Sequence, residues 1–266
     1  MKNILKQICE NKKKEIIENK KKCSYKTLEK LLSTNLSKKR KFKDLLKESQ
    51  KNKKNFIIGE IKKSSPSAGN IIKKNYYPEQ IAKTYEKSGI GAISVLTEKK
   101  YFEGEIDHIS LIKKTTNLPV LRKDFIIDEY QILESKIYNA DAILLILSIL
   151  TDRQIKQFIN KANEVNLDCI IEAHTNDEIK RAIKIGYPII GINNRDLSNL
   201  SVNINNTINL VKKIDKNFTI IGESGIKSKK DIKKYNEINI YNFLIGETLL
   251  KSIKKEKKIK EFLINE

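Results

Sequence analysis

One alternation, running from residue 56 to residue 262, restricts this chain more than any other feature. Short apolar runs, read as strands, are Phe56–Ile61, Gly91–Leu96, Leu118–Lys123, Asp141–Leu147, Leu167–Glu172, Pro188–Asn193, Phe218–Glu223 and Tyr241–Gly246. Amphipathic segments of helical period separate them: Pro78–Ser88, Glu129–Tyr138, Asp152–Asn163, Asp177–Ile185, Val202–Lys213 and Lys229–Glu237, with Glu247–Phe262 after the last strand. Thr151-Asp152 and Asn176-Asp177 supply caps for two of them. The apolar runs show little in–out alternation, as expected of parallel strands buried on both faces. Eight βα units in succession predict an α/β fold, a TIM (β/α)8 barrel. A doubly wound open sheet is the alternative. It usually has fewer strands and a glycine-rich first turn, and neither a GxGxxG nor a Walker loop is present.

Ahead of the barrel, residues 1–50 are charged and helical in pattern. Ile4, Leu5, Ile8, Ile16 and Ile17 form one stripe, Leu31, Leu32 and Leu36 a second, and Phe42, Leu45 and Leu46 a third. Apolar stripes need a surface to cover, so an N-terminal helical extension packed on the barrel is expected. The stretch after Gly246 has room for a final helix and none for a second barrel, so residues 1–266 read as a single domain. The start, Met1-Lys2-Asn3-Ile4-Leu5-Lys6, lacks a signal-peptide core, and the apolar run Ala142–Leu150, broken by Ser148, is far short of a membrane span. A soluble cytoplasmic protein is expected.

Charge is lopsided, with 53 Lys+Arg against 33 Asp+Glu and a formal net charge of +20. The lysines are scattered through almost every segment instead of forming one face, arginine is scarce, and no aromatic-rich strand offers a stacking platform. These features argue against a specific nucleic-acid partner and leave solubility and weak polyanion binding as side effects. Cys9, Cys23 and Cys169 are odd in number and lack a CxxC, which gives neither a disulfide framework nor a zinc cluster. Cys169 reads as core packing. His108 and His174 are too few and too isolated for a metal site, and no cofactor fingerprint occurs.

Chemistry gathers at the C-terminal ends of the strands, which form the active face of a barrel. The first strand ends on Glu60 and Lys62, which a period of two points to one side. The third ends on Arg122-Lys123-Asp124, the fifth on Glu172, the sixth on Asn193-Asn194-Arg195-Asp196, the seventh on Glu223-Ser224-Gly225 and the eighth on Gly246-Glu247-Thr248. Each glutamate or lysine taken alone reads as a surface charge; their recurrence at one end of the sheet reads as a site. Glycines after strands seven and eight let backbone N–H groups approach an anion, although each also suits a tight turn. Ammonium groups among carboxylates perturb one another and suit acid–base work. Proton transfer on a small phosphorylated substrate, without metal or cofactor, follows.

The motifs themselves resemble indole-3-glycerol phosphate synthase. They are Gly59-Glu60-Ile61-Lys62-Lys63-Ser64-Ser65-Pro66-Ser67, Ile93-Ser94-Val95-Leu96-Thr97-Glu98 with Tyr101-Phe102-Glu103-Gly104, and Pro119-Val120-Leu121-Arg122-Lys123-Asp124-Phe125 continuing to Gln131. Gly191-Ile192-Asn193-Asn194-Arg195-Asp196-Leu197, Glu223-Ser224-Gly225-Ile226 and Leu244-Ile245-Gly246-Glu247 complete the set. The resemblance implies ring closure of 1-(2-carboxyphenylamino)-1-deoxyribulose 5-phosphate with loss of CO2 and water, in tryptophan biosynthesis. It also implies roles. Lys123 matches the general acid of ring closure and Glu172 the acid–base group of dehydration, with Lys62 assisting or binding near the substrate carboxylate. Glu60 and Asn193 match groups that hold hydroxyls and orient the lysines, and Glu223 a further active-site acid. Ser65, Ser224, Gly225, Gly246 and Glu247 fall at the phosphate loops, and Phe102 and Arg195 at the anthranilate end.

Four positions depart from the family's pattern. Gly59 and Gly222 stand where alanine and serine are expected, Asn139 where glycine is usual, and Ala173 where a larger aliphatic is common. None removes a chemical group. Two rivals remain: phosphoribosylanthranilate isomerase, whose expected cysteine/aspartate pair is not provided by Cys9 or Cys23, and a basic nucleic-acid-associated protein on a barrel scaffold. A monofunctional monomer acting on a small phosphorylated substrate, with no membrane partner, is the expectation.

Overall fold

The computed structural model describes residues 4–34, 41–72, 75–196 and 199–264. Its centre is a closed barrel of eight parallel strands. In chain order they are β1 (Phe56–Ile61), β2 (Ala92–Leu96), β3 (Val120–Lys123), β4 (Ala142–Ile146), β5 (Asp168–Ala173), β6 (Ile189–Asn193), β7 (Thr219–Glu223) and β8 (Asn242–Ile245). Closure is made by β1, which pairs with β2 from Ile58↔Ala92 to Ile61↔Val95 and with β8 from Phe56↔Asn242 to Gly59↔Ile245. Nearly every strand residue is buried, because side chains of one parity fill the barrel while those of the other lie under the helices. Beyond the barrel strands, Ser64↔Asn70 and Ser65↔Gly69 pair as a small antiparallel hairpin after β1.

Helix ends follow local chemistry. Thr151 closes a capping box with Gln154, as does Ser228 with Asp231. Before Asn176–Ile185 the cap is Thr175 and not Asn176-Asp177, because its hydroxyl accepts from the Glu178 amide and leaves Asn176 as the first helical residue. The helix foreseen over Val202–Lys213 is shorter, Asn205–Val211: Asn203 Oδ1 accepts from the Asn205 amide, and Val202 bridges Arg195 instead. Glu247–Phe262 breaks into Glu247–Lys251 and Lys255–Leu263. A straight helix would turn Ile259 roughly 80° from Leu249; the break lets Leu249, Ile259 and Phe262 all be buried. Between β2 and β3 lie a short helix, Lys99–Phe102, and a longer one, Asp107–Thr115.

The N-terminal extension runs the full height of the barrel. Helix α1 (Ile4–Lys22) begins at the mouth and descends beside Glu129–Ile137, α2 (Tyr25–Thr34) packs against that same helix, and α3 (Phe42–Asn52) closes the bottom. Leu36, foreseen as part of the second stripe, and Met1 to Asn3 lie outside the described residues. Phe42 and Leu46 of α3 are fully buried, and Asn242 Nδ2 donates to the Leu46 carbonyl at 3.3 Å while Asp168 accepts from the Lys43 amide at 3.0 Å. Cys169 is buried in β5.

Alternation along β3 sends Lys123 into the barrel mouth and Arg122 outward. The buried Arg122 guanidinium donates to Glu134, Ser135 and the Gln131 carbonyl on the covering helix, and to Asp124 at 3.0 Å. Asp124 also accepts from Thr97 at 2.6 Å and pairs at 3.0 Å with Lys12 of α1, a lysine only 2% exposed. Burial pushes the Asp124 carboxyl up, but Lys12 and Arg122 outweigh it and hold it well below the carboxylate range. Removing one partner of such a buried pair leaves a charge without compensation.

The departures from the family pattern have steric accounts at three positions. A Cβ at Gly59 would lie 2.6 Å from the Tyr85 ring, and one at Gly222 3.3 Å from Tyr235, so large outer side chains fill the missing volume. Asn139 has a φ of 67°, which asparagine tolerates best after glycine. Nothing in the structure explains Ala173.

Lys12→Ala is expected to lower unfolding stability by about 3 kcal/mol in urea at neutral pH. The depressed Asp124 group stabilises the fold fully above the unfolded carboxylate pKa and loses that contribution as pH falls towards its native value. Parent and variant should therefore converge in acid, measured by the difference in their urea midpoints.

Candidate active site

At the C-terminal face the strand ends surround a cavity of about 800 Å³. All thirteen residues singled out from the sequence line it: Glu60, Lys62, Ser65, Phe102, Lys123, Glu172, Asn193, Arg195, Glu223, Ser224, Gly225, Gly246 and Glu247. Strand order explains the convergence. In a closed barrel the ends of β1, β3, β5, β6, β7 and β8 face a common axis although up to 187 residues separate them along the chain (247 − 60).

Lys123 forms the centre of charge. Its Nζ donates to Glu172 Oε2 and to Glu223 Oε2, each at 3.2 Å, with the lysine 16% and the acids 4% and 1% exposed. Lys62 pairs with Glu60, two residues back on the same side of β1. Glu60 takes Lys62 as its partner and acts on Lys123 only at longer range. Burial alone would lower Lys123, but Glu172, Glu223 and Glu60 outweigh it and hold the ammonium above the ordinary lysine value. Nearby acids thus override the lowering that burial alone gives a lysine. Burial likewise raises Glu172, and Lys123 and His174 bring it below the usual range. Glu223 goes the other way. Burial, with the Glu172 carboxylate adding to it, raises it to about 8 against the opposing pull of Lys123. Two acids on one ammonium thus hold one proton between them.

Glycines make room for these acids. A Cβ at Gly191 would overlap Glu223 Oε1, and one at Gly246 would overlap Glu60 Oε1. Gly246, read from sequence as an anion loop, therefore also seats a carboxylate. Across the cavity, Ser224 and Gly225 adopt φ of 63° and 83°, and a Cβ at Gly225 would lie 2.6 Å from Val202. Asn193 Oδ1 accepts from the Arg195 amide, and Arg195 is held by the Leu200 carbonyl at 2.9 Å. Phe102 is delivered by the short helix whose N-cap, Glu98, accepts from the Tyr101 and Phe102 amides at 2.7 and 3.1 Å. Its ring lies 6.2 Å from Phe125.

Ile4, Leu5 and Ile8 of α1 also line the cavity, which the sequence did not show. Their helical stripe signalled a packing surface but not which one. Phe125 was missed as well, although it directly follows the Lys123-Asp124 pair. Leu197, part of a quoted motif, lies outside the described residues. No group of three or more His, Cys, Asp and Glu side chains among the described residues is arranged to hold a metal ion, and no described helix is long and apolar enough to cross a membrane.

Fold and site together define a (β/α)8 barrel whose mouth gathers paired lysines and carboxylates in one cavity. The family model described as indole-3-glycerol phosphate synthase matches residues 5–262. An indole-3-glycerol phosphate synthase of Thermoanaerobacter pseudethanolicus is 50% identical over 207 residues, covering 78% of this chain and 79% of the relative. One from Caldanaerobacter subterraneus subsp. tengcongensis is 46% identical over 238 residues, 90% of each chain. The crystal structure of 3-hexulose-6-phosphate synthase from Salmonella typhimurium shares the fold, with a TM-score of 0.63 at 13% identity over 78% of this chain and 96% of that one. This chain belongs to the indole-3-glycerol phosphate synthase family, and with it is a carbon–carbon lyase that forms indole-3-glycerol phosphate in tryptophan biosynthesis.

The raised Glu223 yields a stability test. Between the ordinary glutamate pKa and about 8 the native state keeps a proton that the unfolded chain has lost, so Glu223 lowers stability as pH rises through that window. Glu223→Gln should gain stability relative to the parent from pH 5 to pH 8, by about 1 kcal/mol or more, in thermal or urea unfolding.

Proposed function

We propose that Lys123 is the general acid that closes the indole ring and Glu172 the acid–base group of the dehydration, within a single catalytic domain spanning residues 1–266. The substrate is 1-(2-carboxyphenylamino)-1-deoxyribulose 5-phosphate. The supporting observation is the Lys123 ammonium held at 3.2 Å from both Glu172 and Glu223 in the cavity. The aryl carbon that bears the carboxylate attacks the ketone, and Lys123 gives its proton to the developing alkoxide. Loss of CO2 returns its bonding pair to the ring. The new hydroxyl then leaves with a proton as water, and Glu172 removes the proton whose loss completes the indole. Glu223, neutral near pH 7, lies against Lys123 and can restore its proton.

Lys62, paired with Glu60, meets the substrate carboxylate, while Glu60 and Asn193 hold hydroxyls. Phe102, Arg195 and the apolar Ile4, Leu5 and Ile8 take the anthranilate end, where an aromatic ring gains most from burial. Ser65, Ser224, Gly225, Gly246 and Glu247 surround the phosphate, the glycines by close backbone approach.

Two measurements test this reading by the appearance of indole fluorescence. Lys123→Met keeps the stem but removes proton and charge, so kcat should fall about 10²–10⁴-fold with KM changed much less. A kcat within a few-fold of the parent moves the acid elsewhere, with Lys62 next. Separately, Gly225→Ala strains a left-handed residue against Val202, so KM should rise about tenfold or more and competition by inorganic phosphate should weaken. An unchanged KM would remove the phosphate from that loop.

A further inference from the structure

Next to Glu172, and not among the residues that line the cavity, lies a buried imidazole with no part in the proposed steps. His174 directly follows β5, and its side chain is 7% exposed. Its Nε2 lies 3.4 Å from Glu172 Oε1 and its Nδ1 lies 3.5 Å from Glu178 Oε2. Neither ring nitrogen has a formed hydrogen bond, so the two carboxylates are its electrostatic partners. The ring is fixed through its backbone: the His174 amide donates to Glu178 Oε2 at 2.6 Å, and Asn206 Nδ2 donates to the His174 carbonyl at 3.0 Å. Thr175, capping the next helix, holds the Glu178 amide and so sets where Glu178 stands.

Glu172 therefore meets a different cation site on each oxygen, Lys123 on Oε2 and His174 on Oε1. Lys123 is shared with Glu223, whereas His174 is not in ion-pair contact with Glu223. Without a charge on His174, two buried acids would depend on one ammonium. We infer that His174 is a positioning residue for the dehydration step: its imidazolium, clamped by Glu178, holds the far oxygen of Glu172, keeps that carboxylate ionised and aims its other oxygen at Lys123. The inference rests on Glu172 being the acid–base group. The groups facing the ring are Glu172 on β5, Glu178 on the following helix and, at longer range, Glu223 on β7. Burial opposes protonation of the ring, and the Glu178 and Glu172 carboxylates outweigh it. Lys123 stands beyond Glu172, on its other oxygen.

Two histidines make the charge directly observable. In the ¹⁵N-histidine-labelled protein, with His108→Asn assigning the other ring, His174 should remain cationic at pH 7. A neutral His174 ring at pH 7 overturns the inference whatever the activity. In turnover, His174→Gln keeps an amide donor but no charge. The acid limb of its kcat profile should move up by about half a pH unit or more, with kcat at pH 7 down about tenfold and KM within threefold. Glu178→Gln, which leaves the ring in place but weakens its proton, should shift the limb in the same direction. A uniform loss at all pH values with no shift in either folded variant reduces His174 to packing and overturns the inference. If His174 is cationic but Glu172→Gln retains full turnover, it is the role of Glu172 that fails, and the two failures are told apart.

Discussion

Everything at the barrel mouth depends on one ammonium between two carboxylates. Lys123, Glu172 and Glu223 arise on β3, β5 and β7, alternate strands whose inward side chains meet on the axis. An ammonium in this apolar surround would lose its proton, and two acids would repel, but together each group makes the others tolerable. The balance leaves the site with a protonated lysine, an ionised Glu172 and a neutral Glu223 near pH 7. Three groups in three different charge states thus lie in direct contact through Lys123.

Around this centre the fold supplies support from directions far apart in the chain. Residue alternation on β3 puts Arg122 behind Lys123, and Arg122, Asp124 and Thr97 form a buried network that α1 completes with Lys12. The same helix sends Ile4, Leu5 and Ile8 into the cavity. The N-terminal extension is thus both a brace for β3 and a wall of the pocket, while α3 closes the opposite end with Phe42 and Leu46.

The strand runs were legible because parallel strands buried on both faces must be apolar nearly throughout, and all eight barrel strands overlap the runs read for them. Helix ends were less so. Thr175 displaced Asn176 as a cap, Val202 left its helix for a bridge to Arg195, and Glu247–Phe262 broke to bury residues from two faces. In each case tertiary packing, not local period, chose the boundary. The direction of the Lys123 shift was also beyond the sequence, because it depends on how many acids gather within a few ångströms.

The sequence alone was enough for the barrel and for the end of it at which lysines and carboxylates gather, since these are properties of period and position along each strand. Only the tertiary structure decided the pairing: Lys62 with Glu60, Lys123 with Glu172 and Glu223, His174 next to Glu172, and Lys12 beneath Asp124. Charges interact through space with a strength set by distance and burial, and both exist only once the strands have closed on one another.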